Sequence, residues 1–279
     1  MITAAQEEHI ELHAYVPEQI PQYVTVISQT EPHLVGEFLL YTKKGHCIFV
    51  GYPLTGTFEE KRLEETLGEV ISRFKPESVS LIAPSIPRSI QQEPPPPADD
   101  YYRLDLATVS ISQKLRNMLR RAGRELSVRE SQGFKREHRQ MVEAFLMNRP
   151  LDEAALFIFQ RIDAYLLSSK TAALFEARTA GGDLVAFDIA EFKPRDYALY
   201  MFNFRSQAHY TPGASDLLLS AVIERATAGG KKYINLGLGI NRGVAFFKEK
   251  WGGAAFLPHT FCLYRPRRKG LLEALLRRL

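Results

Sequence analysis

The sequence contains only two cysteines, Cys47 and Cys262, among its 279 residues. Two thiols so far apart predict no disulfide framework, and they favour the reducing cytoplasm as the location. No apolar run approaches the ~18 residues that a membrane-spanning helix needs. The acidic N-terminus lacks the pattern of a secretory signal.

Several ligand-binding signatures are also missing. There is no cysteine pair at metal-ligand spacing and no His-x-x-x-His, so we expect no metal site. The glycine-rich phosphate loop and the dinucleotide fingerprint are both absent, although Gly237-x-Gly239 follows a predicted strand. A nucleotide-binding function therefore has no motif to support it.

Charge is divided unevenly between the two halves of the chain. Residues 1–100 contain 7 Lys and Arg against 15 Asp and Glu, whereas residues 101–279 contain 29 against 17. The second half is therefore expected to meet an anionic partner, such as a phosphorylated cofactor, nucleic acid or an acidic membrane surface. The alternative is that the two halves attract each other.

The proline-rich segment at residues 91–100, QQEPPPPADD, predicts a linker because four successive prolines cannot continue a helix or an interior strand. On both sides of it the same order is expected: strand, turn, strand, helix and strand. The first of these helices would be capped by Thr57, with Glu60 completing a capping box. The elements are predicted at Gly36–Val50 (two strands), Phe58–Phe74 and Ser78–Ile82, then at Ala172–Arg178, Leu184–Phe192, Ala198–Phe204, Pro212–Ala228 and Ile234–Leu238. Further helices are predicted at Ser112–Gly123, Phe134–Asn148 and Leu151–Ser169.

The most informative segment is Tyr233–Gly253, which predicts a buried strand, a glycine-containing turn and a short helix that carries Trp251. Together with the basic segment Leu104–Arg121 and the loop His209–Leu217, it resembles the acetyltransferase (GNAT) superfamily. The arrangement in two halves resembles the tandem branch that includes the Fem-type peptidoglycan bridge enzymes and related acyl-CoA N-acyltransferases.

The resemblance implies an α/β fold (α+β, with a mixed sheet) of two tandem GNAT-like units, the N-terminal one degenerate. It rests on motifs over roughly residues 103–265 and on element order alone over residues 1–90. The implied organisation is an N-terminal unit at 1–90, a linker at 91–102, an acyltransferase domain at 103–265 and a basic amphipathic tail at 266–279.

The family binds the pyrophosphate of acyl-CoA at the N-terminus of a helix, where free amides and the helix dipole favour an anion. The matching positions here are Gly213, Ala214 and Ser215, with Arg205 upstream as a partner for phosphate. The loop has a single glycine where the family's pattern has more. The position of this loop in the family's order of elements therefore implies acyl-CoA, such as acetyl-CoA, as the donor. The alternative is that the loop is an ordinary capped helix start that binds no donor.

Amide formation needs a neutral amine, a polarised carbonyl and a protonated leaving group. The resemblance places Lys248 near the transferred acyl group, where a cation would stabilise charge on oxygen. Asp188 is a candidate base, and Tyr200 is a candidate acid. Asn235 would position the acceptor. The alternatives are a solvated lysine along Trp251 and structural roles for the others.

Three more residues are candidates for substrate contact: Asn203, His209 and Trp251. Strand alternation predicts that Tyr200 and Asn203 face opposite sides of the sheet, because their separation is odd. A lone loop histidine such as His209 is more often simply exposed.

A basic helix face carries Lys114, Arg116, Arg120 and Arg121, and it suits an anionic donor such as CoA or the acceptor end of a tRNA. The alternative is a solvated helix face. The tail has five leucines on one helical side and could contact a membrane surface weakly, or could dock on its own domain.

Three functions therefore stay open at this point. The first is an N-acyltransferase that moves an acyl group from acyl-CoA to a small-molecule or peptide amine. The second is a Fem-like aminoacyl transferase that uses aminoacyl-tRNA. The third is a degenerate, non-catalytic GNAT pair that binds anions.

Overall fold

The structure is a computed structural model that describes residues 2–90, 98–131, 133–147 and 153–266. Within these residues the helices α1 to α9 span Ala4–His13, Pro21–Ser28, Glu60–Phe74, Gln113–Glu125, Arg136–Met147, Glu153–Phe159, Ile162–Ser168, Ala214–Ala228 and Arg242–Lys250. The strands β1 to β11 span Glu31–Val35, Phe38–Lys43, His46–Val50, Ser78–Ala83, Ala98–Asp105, Leu126–Ser131, Ala172–Thr179, Leu184–Glu191, Tyr197–Arg205, Tyr233–Leu238 and Ala254–Tyr264.

All described strands form one mixed sheet in the order β1-β2-β3-β4-β11-β5-β10-β9-β8-β7-β6. The same unit occurs twice: a three-stranded antiparallel meander, a helix, and a strand parallel to the last one of the meander. The units are β1-β2-β3-α3-β4 and β7-β8-β9-α8-β10. This confirms the predicted mixed α/β sheet with tandem units.

The two units are joined by strands that cross between them. β11, the last strand, lies between β4 of the first unit and β5, and β5 in turn pairs with β10 of the second unit. The sequence assigned residues 98–102 to the linker, but they are part of β5. Residues 91–97 of that linker and residues 267–279 of the predicted tail lie outside the described part of the chain.

Each unit packs a helix on one face of the sheet. In the second unit α8 buries Leu218, Leu219, Val222 and Ala226 at helical spacing against β7 to β10. Burying one such leucine contributes roughly 1.5–3 kcal/mol, so this face anchors α8 firmly. The opposite face is covered by α1, α2, α5 and α7. Among the described residues, no helix combines the length and the apolar character that crossing a bilayer requires.

Several predicted details are wrong. The third helix begins at Glu60 after Glu59, which makes no side-chain cap bond, so the Thr57 capping box does not form. The predicted helix Leu151–Ser169 is divided into α6 and α7. Helix α1 was missed because Ile10 is its one buried residue, which leaves no amphipathic period. Strands β1, β6 and β11 were also not predicted.

Gly253 determines how closely α9 approaches β10. A Cβ at this position would lie 2.7 Å from Leu236 Cδ1 and 2.9 Å from the Lys248 carbonyl oxygen. We therefore expect Gly253→Ala to destabilise the protein by about 2–3 kcal/mol, the cost of overpacking a tight contact. Urea unfolding measures this change.

The matched control is Gly68→Ala in α3, where an added Cβ would meet no atom within 4 Å. That substitution should stabilise the helix by about 0.4–1 kcal/mol because it restricts the unfolded chain. Equal effects of the two substitutions would contradict the close contact between α9 and β10.

Candidate functional site

The candidate site lies where two parallel strands of the second unit separate. β9 and β10 pair from Tyr197 with Tyr233 to Leu199 with Asn235. Beyond that point β9 continues to Arg205 and β10 to Leu238 without pairing to each other. We call the region where these two strands stop pairing the wedge.

Lys248 lies at the wedge. Its side chain comes from α9 and is only 4% exposed, and its Nζ donates a hydrogen bond to the Leu238 carbonyl oxygen. A Cβ on Gly237 would lie 3.6 Å from this Nζ and 3.7 Å from the Tyr200 carbonyl oxygen. The amine, Gly237 and the Tyr200 carbonyl are therefore neighbours at the point where the strands separate.

Burial lowers the pKa of Lys248 to about 7, although the negative charge of Asp99 acts in the opposite direction. Nζ also lies 5.6 Å from the centre of the Tyr102 ring. An ammonium group has three N–H donors, and one of them is used by Leu238. Lys248 can therefore direct further donors at a ligand, and it changes protonation near neutral pH.

The turn after β10 is held by Asp99, which sequence analysis missed. Its carboxylate accepts hydrogen bonds from Gly239 N at 3.1 Å and Ile240 N at 2.7 Å. Ile240 is 72% exposed and has a φ of 59°, which is unfavourable for a β-branched residue.

Asn241, the next residue, caps α9 because its side chain accepts hydrogen bonds from Gly243 N and Val244 N. These bonds fix the orientation of the helix that carries Lys248.

Asn235 is part of the same framework. Its Nδ2 donates to the Tyr15 carbonyl oxygen at 2.8 Å, and its Oδ1 accepts from Gly237 N at 2.8 Å. Both ends of the amide are thus used to hold the wedge and the N-terminal segment. This arrangement favours the structural alternative for Asn235 over a direct contact with the acceptor.

Asp188, Tyr200 and Asn203 meet on the α8 face of the sheet. A register shift pairs Ile189 with Phe202 but Ala190 with Tyr200, so β9 contains one extra residue at this point. The prediction that Tyr200 and Asn203 face opposite sides is therefore wrong. Asn203 Nδ2 donates to Asp188, and Asn203 Oδ1 accepts from Ser215 Oγ at 3.2 Å.

Burial raises the pKa of Asp188 to about 8. Burial also raises the pKa of Tyr200 well above its usual value, and the Asp188 charge adds to this shift. The Tyr200 hydroxyl and Asp188 Oδ2 are buried without a hydrogen bond of ordinary geometry. At neutral pH the Asp188 carboxyl is therefore largely protonated, and its role as the base stays a prediction.

The N-terminus of α8 carries the predicted donor residues. Gly213 has a φ of 85°, and a Cβ there would lie 3.1 Å from both Ala122 Cβ and Met118 Cγ of α4. The glycine is thus required for the contact between α8 and α4. Ala214 and Ser215 follow it in the first turn of the helix.

Arg205 and His209 lie on the exposed side of this loop. Arg205 is exposed and stacks on Tyr210 with 5.7 Å from Cζ to the ring centre. His209 is exposed as well. Neither residue is brought to the wedge by a contact that the structure describes.

Trp251 connects α9 to α8. It is 2% exposed, and its Nε1 donates to Asp216 Oδ1 at 2.9 Å, an oxygen that also pairs with Lys250 Nζ at 2.6 Å. The predicted substrate contact would require a ligand to reach a buried ring. Its observed partners indicate a packing role instead.

No protein-family model matches the sequence, and the comparison with curated proteins finds no match. Solved structures do match over nearly the whole chain. FemX is 10% identical with a TM-score of 0.64, and the alignment covers 100% of this chain and 98% of that one. L-PGS from Bacillus licheniformis is 16% identical with a TM-score of 0.58, covering 99% and 96%. A tandem GNAT protein from the clavulanic acid biosynthesis pathway is 12% identical with a TM-score of 0.54, covering 94% and 95%.

The chain has a tandem GNAT-type fold. The predicted resemblance is confirmed at the level of the fold, which is what such low identities can show. In this GNAT-type fold the wedge between β9 and β10 lies beside the N-terminus of α8. Lys248, the helix N-terminus and the group formed by Asp188, Tyr200 and Asn203 therefore lie in one region of the second unit.

The basic residues on α4 of this GNAT-type fold are solvent-exposed: Lys114, Arg116, Arg120 and Arg121. Arg116 and Arg120 bond to polar side chains of their own helix, and Arg121 lies 3.9 Å from Glu125. Met118 and Ala122 of α4 contact Gly213, so the helix that carries these basic residues borders the N-terminus of α8. Their role in attracting an anion stays a prediction.

One group of side chains has the geometry of a metal site. Ligand atoms of Glu137, His138 and Glu176 lie within 4.8 Å of one another. However, Arg178 pairs with both glutamates, and Arg129 pairs with Glu176 at 2.9 Å. Glu176 thus has two guanidinium partners and Glu137 has one, so these side chains form an ion-pair network that does not need a metal ion. The absence of a metal from the function stays a prediction.

Proposed function

We propose that this chain is an N-acyltransferase that moves an acyl group from acyl-CoA to an amine. The observation that carries the proposal is Lys248, a buried amine with a pKa near neutrality at the point where two parallel strands of a GNAT-type fold separate. The solved structures that share the fold of this chain include proteins named as acetyltransferases and as tandem GNAT proteins, which supports transferase activity.

The chemistry assigns a distinct task to each region. The free N–H groups at the start of α8, near Ser215, would bind the phosphates of the donor. The acceptor nitrogen forms a bond to the acyl carbon while the carbon–sulfur bond breaks, and the proton that the nitrogen loses ends on the leaving thiolate, which gives an amide and the free CoA thiol. Lys248, as a cation, would stabilise the negative charge that develops on the acyl oxygen. We expect the acyl group of the donor to enter at the wedge, where the amine of Lys248 lies.

Binding of the donor is the direct test. Acetyl-CoA at 100 times its Kd should stabilise the protein by about 2.7 kcal/mol, because it binds the folded state alone. Thermal unfolding with acetyl-CoA, CoA and a pantetheine lacking the nucleotide measures this effect. Stabilisation by the CoA species but not by pantetheine is expected. No stabilisation by any CoA species would count against the proposal.

The second candidate is transfer of an aminoacyl group from tRNA, favoured by the exposed basic face of α4 beside α8. A domain of a putative lysylphosphatidylglycerol synthetase from Agrobacterium fabrum shares the fold, and its name refers to a product that joins lysine to a lipid. The candidate requires tRNA binding that weakens steeply with salt. Lys114→Glu combined with Arg120→Glu should abolish this binding, whereas Lys61→Glu with Arg73→Glu on the distant helix α3 should not. Binding that is equal in the two variants would reject this candidate.

A further inference from the structure

Glu18 is a carboxylate that the proposed reaction does not use. It lies in the short helical turn Pro17–Gln19, between α1 and α2, on the face of the sheet opposite α9. Its Oε2 accepts a hydrogen bond from the Tyr101 hydroxyl at 2.8 Å, and its backbone carbonyl accepts one from the Tyr41 hydroxyl at 2.8 Å. The residue as a whole is half-buried, so solvent still reaches part of it.

Glu18 has no cationic partner in the part of the chain that the structure describes. None of the ion pairs there includes it. Burial raises its pKa, and hydrogen bonds, including that of Tyr101, only partly oppose the shift. A carboxylate that is desolvated without a counter-charge is costly, and proteins usually supply a partner. The missing partner can come from a ligand.

Tyrosines surround this carboxylate. Burial raises the pKa of Tyr23, Tyr41, Tyr52 and Tyr101, and the negative charge of Glu18 adds to each shift, so all four lie near it. The Tyr52 and Tyr101 rings meet edge to face with 5.9 Å between their centres. Tyr41 and Tyr101 direct their hydroxyls at Glu18, so the attraction for a cation comes from the carboxylate, which neutral rings surround. This combination is suited to an ammonium group and unsuited to an anion.

The Glu18 cluster is connected to the wedge. Tyr101, which bonds to Glu18, is the strand partner of Leu238, and the Leu238 carbonyl accepts the hydrogen bond from Lys248. Tyr101 and Leu238 pack on the Glu18 side of the sheet, whereas Phe247 of α9 packs on the other side. Glu18 therefore lies on the side of the sheet opposite α9, one tyrosine side chain away from the Tyr101–Leu238 strand pair at the wedge.

We propose that Glu18, with its surrounding tyrosines, binds a cationic nitrogen of the acceptor. This proposal rests on the proposed N-acyltransferase function and names its acceptor class. Because the Tyr101 side chain separates Glu18 from the wedge, the nitrogen held by Glu18 is not the one that is acylated. The acceptor is thus an amine with a second basic nitrogen several carbon atoms away, such as a linear diamine or a lysine-like compound.

The test is a calorimetric titration of the donor-free protein with 1,5-diaminopentane, n-pentylamine and 1,5-pentanediol. The diamine should bind at least tenfold more tightly than the monoamine, and the diol should not bind. In Glu18→Gln the diamine should lose at least tenfold in affinity and become equal to the monoamine. Glu11→Gln, an exposed glutamate in the preceding helix, is the matched control and should bind as the wild type does.

Two further results decide between binding and a purely structural role. Tyr101→Phe removes a donor to Glu18 but keeps the carboxylate, so diamine binding should persist. If Glu18 only anchored Tyr101, both variants would bind alike, and that outcome would overturn the proposal. A wild type that fails to distinguish the diamine from the diol would overturn it as well. Since the titration contains no donor, a failure of acyl transfer and a failure of amine binding are separate results.

Discussion

Lys248→Met is expected to lower kcat/KM for acyl transfer by about 10²–10³-fold, which is the usual cost of removing one group that stabilises an oxyanion. The fold should persist, because methionine fills similar volume in a site that is 4% exposed. Release of free CoA thiol with an amine acceptor measures the rate. The matched control is Lys250→Met in the same helix, whose amine pairs with Asp216 at 2.6 Å, and it should lose less than tenfold.

Lys248→Met should also change how the free energy of unfolding depends on pH. Burial holds the pKa of Lys248 at about 7 in the folded protein, against 10.5 for an ordinary lysine. Between these values the unfolded chain binds more protons, so the wild type gains stability as the pH rises through this window. Lys248→Met should remove that gain. Full transfer activity in Lys248→Met would show that another group stabilises the acyl oxygen.

The elements of the second unit were largely predictable because their apolar residues run continuously through two strands and recur at helical spacing in the helix. β7 and β8 are buried along nearly their whole length, and α8 places its apolar residues at helical spacing. β11 was missed because Pro258 interrupts it and because Phe261 and Leu263 are exposed, which weakens the alternation. Its position between the two units depends on pairing with strands far away in the sequence.

The candidate site was predictable only in part. The helix after β10 was predicted from its residues, and the family resemblance nominated Lys248 on it; the catalytic role of Lys248 stays a prediction. Asp99 and Glu18 could not be found this way, because their partners lie 140 and 83 residues away in the sequence. The extra residue in β9 also left no sequence signal, and it reverses the predicted orientation of Tyr200 relative to Asn203.

Asp188→Asn is expected to change the pH dependence of stability by several kcal/mol. Burial raises the pKa of Asp188 from 3.8 to about 8. In the wild type the folded state keeps this proton while the unfolded state loses it, so the free energy of unfolding falls as the pH rises from about 4 to 8. At ~1.4 kcal/mol per pKa unit the loss is on the order of 5 kcal/mol. Asparagine has nearly the same shape and cannot ionise, so the variant should lack this decline.

Urea unfolding at pH 5 and pH 9 provides the comparison. The wild type and Asp183→Asn, a control in the exposed turn before β8, should lose stability together, while Asp188→Asn should lose much less. The result also bears on catalysis. If Asp188→Asn lost as much stability as the wild type, the Asp188 carboxylate would be ionised in the folded protein. It would then be available as the proton acceptor that the sequence predicted, held in place by the hydrogen bonds that run from Asp188 through Asn203 to Ser215 at the start of α8.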